Sequence, residues 1–142
     1  MYNQSKTDKM KTIIATIALI VTVSLGYSQN TLTVKINGLK TNNGTVMVQL
    51  YNANQELVQE TKAEVSDKTA TIKFKNLPTG TFAVQYYHDE NSNGKMDTGM
   101  FGKPEEGYGY SNDARGFMGP ADFQDQILEL IGDKTITLKT VL

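Results

Sequence analysis

Oxygen-bearing side chains recur at alternate positions in one short stretch of the chain. Within residues 88–97, acidic or amide side chains occupy every second position, followed by a glycine and a further aspartate. An EF-hand-type loop uses this spacing to surround calcium with side-chain oxygens and one main-chain carbonyl, the glycine making the sharp turn. The pattern therefore predicts a bound calcium ion with ligands at Asp89, Asn91, Asn93, Lys95 (through its carbonyl) and Asp97.

The stretch also departs from a switching EF-hand. Met100 stands at the closing position, where a bidentate glutamate is usual, and a strand pattern rather than a helical one precedes the loop. Acids later in the chain would have to complete the coordination shell of the calcium ion, and the available ones are Glu105, Glu106 and Asp113. We expect a structural or weak extracellular-type calcium site. The alternative is a solvated turn, since Asp, Asn and Gly favour turns for local reasons.

An enzyme hypothesis depends on His88, the one histidine of the chain. In that alternative, a calcium-dependent hydrolase or lyase would use His88, Glu106 or Asp113 as its acid or base. Neighbouring residues of a strand face opposite sides, so His88 is poorly placed to pair with Asp89. The sequence has no Gly-x-Ser-x-Gly motif and no second histidine for a zinc site. We therefore expect a non-catalytic protein in which His88 packs or caps at a strand end.

The strand pattern stops from residue 88 to about residue 123, and the second candidate site, residues 101–115, lies in this stretch. Within the stretch, residues 98–120 hold six of the 12 glycines and two of the three prolines of the chain. Long loops in compact domains tend to be functional or tied down. Tyrosine rings beside amide and charged groups would stack on sugars or grip a peptide, which predicts ligand-binding residues at Glu106, Tyr108, Tyr110, Asn112, Asp113 and Arg115. The alternative is a self-packed loop in which Arg115 pairs with Glu106 or Asp113.

Alternating apolar and polar residues predict the strands that position both sites. This period-two pattern is typical of strands with one buried face, and it occurs at residues 31–37, 45–51, 57–65, 68–74 and 81–87. Near the C-terminus we predict a helical turn at about 121–125 and a hairpin that pairs 126–131 with 134–140. Together these elements predict an all-β fold, a single seven-stranded antiparallel β-sandwich of the Ig or prealbumin-like type with one long Gly/aromatic loop.

The first 28 residues have the layout of a secretory signal peptide. Lysines precede an apolar run over residues 12–25, and Gly26 and Ser28 suit cleavage before Gln29. A single membrane anchor is the alternative, although the run is barely long enough to span a bilayer. We expect one domain over residues 29–142, secreted or periplasmic at the cell envelope, with no stable membrane span after signal cleavage.

Composition excludes several functional classes. Residues 29–142 contain 11 Lys and Arg against 14 Asp and Glu without a basic stretch, so we expect no nucleic-acid partner. The chain has no cysteine, which excludes disulfides, thiol catalysis and lipid attachment through an N-terminal cysteine. A bound metal would therefore be a useful supplement to the core of an exported domain of this size.

Three spaced motifs resemble one known family. They are residues 88–98 (His-Asp-Glu-Asn-x-Asn-Gly-Lys-x-Asp-Thr), 101–112 (Phe-Gly-x-Pro-x-Glu-Gly-Tyr-Gly-x-Ser-Asn) and 119–123 (Gly-Pro-x-x-Phe). In this order they resemble the secreted bacterial family of unknown function DUF2141, and the resemblance covers the predicted mature chain. It implies a small exported β-sandwich without an established activity. Residues 74–84 are also similar to prealbumin-like accessory domains, which implies a binding or structural role by analogy of fold.

These observations predict an exported, non-catalytic β-sandwich whose long loop is held by calcium and faces a glycan or protein of the cell envelope. The calcium-dependent enzyme is one alternative. A purely architectural envelope subunit without a small ligand is the other.

Overall fold

The computed structural model describes residues 29–141, which form eight strands, one α-helical turn and two 3-10 turns, at Met100–Gly102 and Ser111–Asp113. In chain order the strands are β1 (Asn30–Asn37), β2 (Thr45–Asn52), β3 (Leu57–Glu64), β4 (Thr69–Leu77), β5 (Gly80–Asp89), β6 (Tyr108–Tyr110), β7 (Leu128–Leu130) and β8 (Lys134–Lys139). The helical turn, α1 (Phe123–Gln126), precedes β7. The predicted signal peptide, residues 1–28, lies outside the described residues. None of the helices in the described part of the chain has the length and apolar character needed to cross a membrane.

The strands form the two sheets of a β-sandwich, as predicted. One sheet has three strands in the order β4-β1-β8, and the other has five, with the order β3-β2-β5-β6 and β7 also paired to β5. The pairs within these sheets are antiparallel with one exception, because β8 runs parallel to β1. The sandwich prediction is therefore confirmed, while its fully antiparallel character is wrong at this pair.

The core lies between the sheets and follows the alternation of the sequence. Leu32, Val34 and Ile36 of β1 are fully buried, and their sequence neighbours face outward. Side chains of β2 and β5 complete the interior from the opposite sheet, principally Val46, Val48, Leu50, Phe82, Val84 and Tyr86. Burying each aliphatic side chain of this size stabilises the fold by roughly 1.5–3 kcal/mol.

The predicted C-terminal hairpin is wrong, although its two strands exist. β7 pairs with β5, whereas β8 pairs with β1 in the other sheet, with Val34 opposite Ile136. The turn at residues 131–134 is therefore a corner between the sheets. Turn-forming residues specify a reversal of the backbone but not the sheet that the chain enters next. The predicted helical turn near 121–125 is present at Phe123–Gln126.

The eighth strand lies inside the segment that was predicted to be irregular. β6 pairs with β5, with Gly109 opposite Tyr86. A Cβ atom at Gly109 would lie 2.5 Å from the Tyr86 hydroxyl oxygen, so the absence of a side chain permits the close approach. Strand β6 therefore fixes the long Gly/aromatic segment to the sheet beside the end of β5.

Candidate functional site

The loop at residues 89–97 begins where β5 ends against the turn between β1 and β2. His88 is fully buried, and its Nε2 donates to the carbonyl oxygen of Asn43 at 2.7 Å. Gly44 has a φ of 74°, and a Cβ atom there would overlap the carbonyl oxygen of Asp89. Both contacts fix the entry of the loop. His88 packs at the strand end, in agreement with the expectation from the sequence.

The carboxylate of Asp89 folds the loop back on itself. Its Oδ1 accepts a hydrogen bond from the Asn93 amide at 2.9 Å, and its Oδ2 accepts one from the Gly94 amide at 2.8 Å. The Oδ1 atoms of Asn91 and Asn93 each accept an amide two residues later, from Asn93 and Lys95. The alternating polar residues are thus local turn formers, which is the property that the solvated-turn alternative assigned to them.

Asp97 lies across the loop from two side-chain amides. The Asn91 Nδ2 donates to it at 2.5 Å, and the Asn93 Nδ2 donates to its two oxygens at 2.9 and 3.1 Å. The hydrogen bonds from Asn93 and then Asn91 hold the pKa of Asp97 below its ordinary value. The carboxylate is therefore ionised at neutral pH and attracts the positive ends of the neighbouring dipoles.

Four of the five predicted calcium ligands, Asp89, Asn91, Asn93 and Asp97, are thus linked in one hydrogen-bonded loop. Their oxygens are of the hard type that calcium prefers, although only two of the side chains are carboxylates. Across residues 29–141 no group of three or more His, Cys, Asp or Glu side chains is placed to hold a metal. Any cation at this loop would therefore depend on amide and main-chain oxygens as well.

Glu106 is a buried carboxylate that accepts hydrogen bonds from both ends of the loop, an arrangement that we call the Glu106 brace. It is 5% exposed, and its Oε1 accepts the Glu90 amide at 2.9 Å while its Oε2 accepts the Asp97 amide at 3.0 Å. Main-chain bonds on either side reinforce this brace, from Glu105 N to Asp97 O and from His88 N to Gly107 O. The structure therefore places this predicted ligand-binding residue beneath the loop, with both oxygens occupied by main-chain donors.

Other predicted ligand-binding residues tie the long segment to the sandwich. The Asn112 Nδ2 donates to the carbonyl oxygens of Asp125 and Ile127 at 3.0 and 2.9 Å. Asp113 accepts the Lys139 amide at 2.8 Å. Arg115 is exposed, and among the described residues it makes neither of the ion pairs considered for it, with Glu106 or with Asp113.

Ser111, which sequence reasoning missed, is a further anchor of this segment. Its buried hydroxyl accepts the Val84 amide at 2.9 Å and donates to the Gln126 carbonyl oxygen. Ser111 belongs to the 101–112 motif, but the motif does not say what a serine there contacts, so only the folded chain identifies it as an anchor. Together with Asn112 and Asp113, it makes residues 111–113 a fixed support rather than a free loop.

Tyr108 and Tyr110 line a groove that opens at the surface of the long segment. Their rings meet edge to face with centroids 5.9 Å apart. The groove has a volume of about 600 Å³, and its other walls come from Met96, Thr98 and residues 101–104 and 116–120. Phe101 and Phe117 lie along it with side chains that are 100% and 98% exposed. The tyrosines were predicted as binding residues, whereas the two phenylalanines were not.

Phe101 has an unfavourable backbone conformation that no burial of its side chain offsets. Its φ of 62° and ψ of 21° lie in the left-handed region, which costs a bulky residue roughly 1–3 kcal/mol. Because the ring is fully exposed, it recovers none of this cost by burial. Met100 and Met118 are also largely exposed in the same segment. Neighbouring exposed apolar side chains of this size mark interaction sites on folded proteins.

Comparison with known proteins agrees with the motif order of residues 88–123. The family model described as "Uncharacterized protein conserved in bacteria (DUF2141)" matches residues 34–139. This range runs from within β1 to the end of β8 and includes the braced loop and the groove. No curated protein and no solved structure matches the chain. Since the match covers well over half of the sequence, the chain belongs to the DUF2141 family of bacterial proteins.

Proposed function

We propose that this chain is an exported, non-catalytic binding module of the cell envelope whose groove takes up an apolar segment of a partner protein. The observation that carries the proposal is the groove itself, with Phe101 and Phe117 almost fully exposed along it. Exposed aromatic side chains of this kind contribute little to folding. Their burial is favourable only when a partner removes them from water, and it then stabilises the complex.

The walls of the groove favour a protein segment over a glycan. Apart from the tyrosine hydroxyls, Thr98 and Lys103 supply the polar side-chain groups of its lining, and the remaining side chains are Met, Phe and Pro. Sites for polar ligands need converging hydrogen-bonding groups that fix orientation. Glu106, Asn112 and Asp113 would have supplied them, but their side chains are bonded to the main chain. Aromatic and methionine side chains are instead typical of protein interfaces.

We further propose that calcium reinforces the loop beneath this groove. Met96 and Thr98 flank Asp97 and line the groove, so the position of the loop determines the position of one wall. Asp89 and Asp97 would supply carboxylate oxygens, Asn91 and Asn93 amide oxygens, and Lys95 its carbonyl. Binding would require the two asparagine amides to present oxygen rather than nitrogen towards Asp97. The hydrogen bonds that now hold Asp97 would then be replaced by metal–oxygen contacts.

No observation favours the alternative of a calcium-dependent hydrolase or lyase. His88 is buried with its Nε2 bonded to a main-chain carbonyl. Glu106 and Asp113 accept main-chain amides from different parts of the fold. The three residues considered as acid or base are therefore engaged in holding the structure, and none of them lines the groove.

Selection from a phage-displayed random peptide library tests the proposed function. We expect the enriched peptides to carry aromatic or aliphatic side chains and to bind the Phe117→Ser variant about 30-fold or more weakly, the loss typical of an interface hot spot. Ile131→Ser is the matched control, because Ile131 is also apolar and 76% exposed but lies outside the groove. Both variants should keep the thermal midpoint of the parent, since neither side chain is buried.

Two results would contradict this proposal. One is an equal loss of peptide binding in the Phe117→Ser and Ile131→Ser variants, which would show that the groove is not the binding surface. The other is that no peptide sequence is enriched, while a neutral oligosaccharide binds the parent protein but not the Phe117→Ser variant. That result would identify a glycan site instead.

A further inference from the structure

The outer face of the β4-β1-β8 sheet has an unusual composition. Its outward positions alternate with the core positions of the same strands, and they carry threonine, lysine and a single asparagine. We call this surface the Lys/Thr face, and it consists of Thr31, Thr33, Lys35, Asn37, Thr69, Thr71, Lys73, Lys75, Thr135, Thr137 and Lys139. It contains no acidic and no large apolar side chain.

The charge of the Lys/Thr face is opposite to that of the domain that carries it. Residues 29–142 contain 14 acidic and 11 basic residues, yet all the charged positions of this face are lysines. Seven of the 14 acids lie in the segment between β5 and β7, and two lie on β3. Asp133 borders the face, but its Oδ1 is occupied by the Thr31 amide at 2.7 Å. The face is therefore a local region of positive potential on an acidic protein.

A shallow groove of about 400 Å³ lies on this face. Its lining includes Lys73, Lys75 and Lys134, threonine hydroxyls and, at one end, Asp133. Lys134 donates to the Glu129 carbonyl oxygen at 3.0 Å, whereas the ammonium groups of Lys73 and Lys75 have no hydrogen-bond or ion-pair partner within residues 29–141. Residues two apart on a strand lie roughly 7 Å from each other on the same face. The two lysines thus present a regularly spaced pair of free cations.

We propose that the Lys/Thr face binds an acidic polysaccharide. The lysines would pair with its carboxylate or sulfate groups, and the threonine hydroxyls would exchange hydrogen bonds with its sugar hydroxyls. The Lys/Thr face is separate from the groove lined by Tyr108 and Tyr110. The proposal for this face does not depend on whether that groove binds a protein.

Two other polyanions fit this face less well. Binding to an anionic membrane surface draws on apolar side chains that enter the headgroup region, and the large exposed apolar side chains of the described residues lie on β3, in the long segment and at Ile131, not on this face. Single-stranded nucleic acid is held by aromatic side chains on which bases stack, and none lies on this face.

Binding of alginate, dextran sulfate and neutral dextran, measured by affinity electrophoresis at low salt, tests the assignment. We expect the protein to bind the two acidic polymers and not dextran, with an affinity that falls as salt screens the charges. Lys73→Glu should weaken binding about fivefold, since it removes one pair and adds a repulsion. The double variant Lys35→Glu/Lys73→Glu should weaken it further. Lys62→Glu on β3 is the matched control, because it makes the same change in net charge on the other sheet.

Three results would overturn the proposal. The first is an equal loss of binding in Lys62→Glu and Lys73→Glu, which would show a response to net charge alone. The second is full binding by the double variant, with its thermal midpoint unchanged. The third is tighter binding to phosphatidylglycerol vesicles or single-stranded DNA than to either acidic polysaccharide, at the same salt concentration.

Discussion

The brace formed by Glu106 predicts a large effect of a small substitution. Glu106→Gln keeps the size of the side chain and removes its charge. The parent carboxylate accepts the amides of Glu90 and Asp97, at 2.9 and 3.0 Å, in a site that is 5% exposed. The glutamine has one oxygen to offer these two donors. Its NH₂ group must therefore face the other main-chain N–H, and that donor is left without a partner.

The expected loss of stability follows from these two bonds. A hydrogen bond to a charged group contributes about 1.5–3 kcal/mol, and a buried unsatisfied donor costs about 1–3 kcal/mol. We expect Glu106→Gln to lower the free energy of unfolding by about 3 kcal/mol. For a domain of this size, about 4 °C per kcal/mol is typical, so the thermal midpoint should fall by roughly 12 °C.

Urea unfolding and a thermal melt of the two variants Glu106→Gln and Glu105→Gln measure this effect. Glu105 is the matched control, because it is the exposed neighbour and its carboxylate makes no hydrogen bond within the described residues. Its substitution should change the free energy of unfolding by less than about 0.5 kcal/mol. Equal midpoints for the parent and Glu106→Gln would refute the reasoning, since the two buried amides would then not depend on the carboxylate.

Three further predictions concern the surroundings of the site. Gly109→Ala should lower stability by about 1–3 kcal/mol in urea unfolding, because its Cβ would lie 2.5 Å from the Tyr86 hydroxyl oxygen; no change would show that β6 can shift away freely. Burial raises the pKa of Tyr86 from 10.0 to about 12, so its contribution to stability is full below pH 10 and is lost as the pH rises towards 12. Tyr86→Phe should therefore shift alkaline unfolding to higher pH, and an unshifted transition would contradict this. The pKa of Asp97 is lowered from 3.8, mainly by Asn93, so its contribution is present above pH 3.8 and is lost as the pH falls through the lower folded value. Asp97→Asn should flatten the loss of stability in acid titrations below about pH 4, whereas an unchanged slope would refute that role.

The strands and the core were predictable because their signal is local. Alternation along β1 identifies Leu32, Val34 and Ile36 as buried without reference to any partner strand. The partner of β8 was not predictable in the same way. Val34 and Ile136 are far apart in the chain, and their parallel pairing is not encoded by the turn that precedes β8. Strand existence therefore follows from periodicity, whereas strand pairing depends on the whole fold.

In the candidate site, too, local contacts were predictable from the sequence and long-range contacts were not. The loop from Asp89 to Asp97 is a contiguous pattern, and its turn-forming contacts follow from residue type and spacing. The role of Glu106 depends on a contact with Glu90, 16 positions away. The sequence therefore identified Glu106 as an available acid but did not predict that its carboxylate holds the two ends of the loop. The exposed Phe101 was missed because a phenylalanine among glycines resembles a packing residue until the fold shows that it is exposed.

Calorimetric melting in calcium and in chelator tests the proposal that calcium holds the loop beneath the groove. For a weak extracellular-type site with a Kd of about 10⁻⁴–10⁻³ M, 10 mM calcium should stabilise the protein by about 2 kcal/mol. The midpoint should then rise by roughly 8 °C over the value in excess chelator. The rise should be absent in Asp97→Asn and in magnesium at equal ionic strength. A parent midpoint that is the same in calcium and in chelator would contradict the claim and leave residues 89–97 a turn held by its own hydrogen bonds.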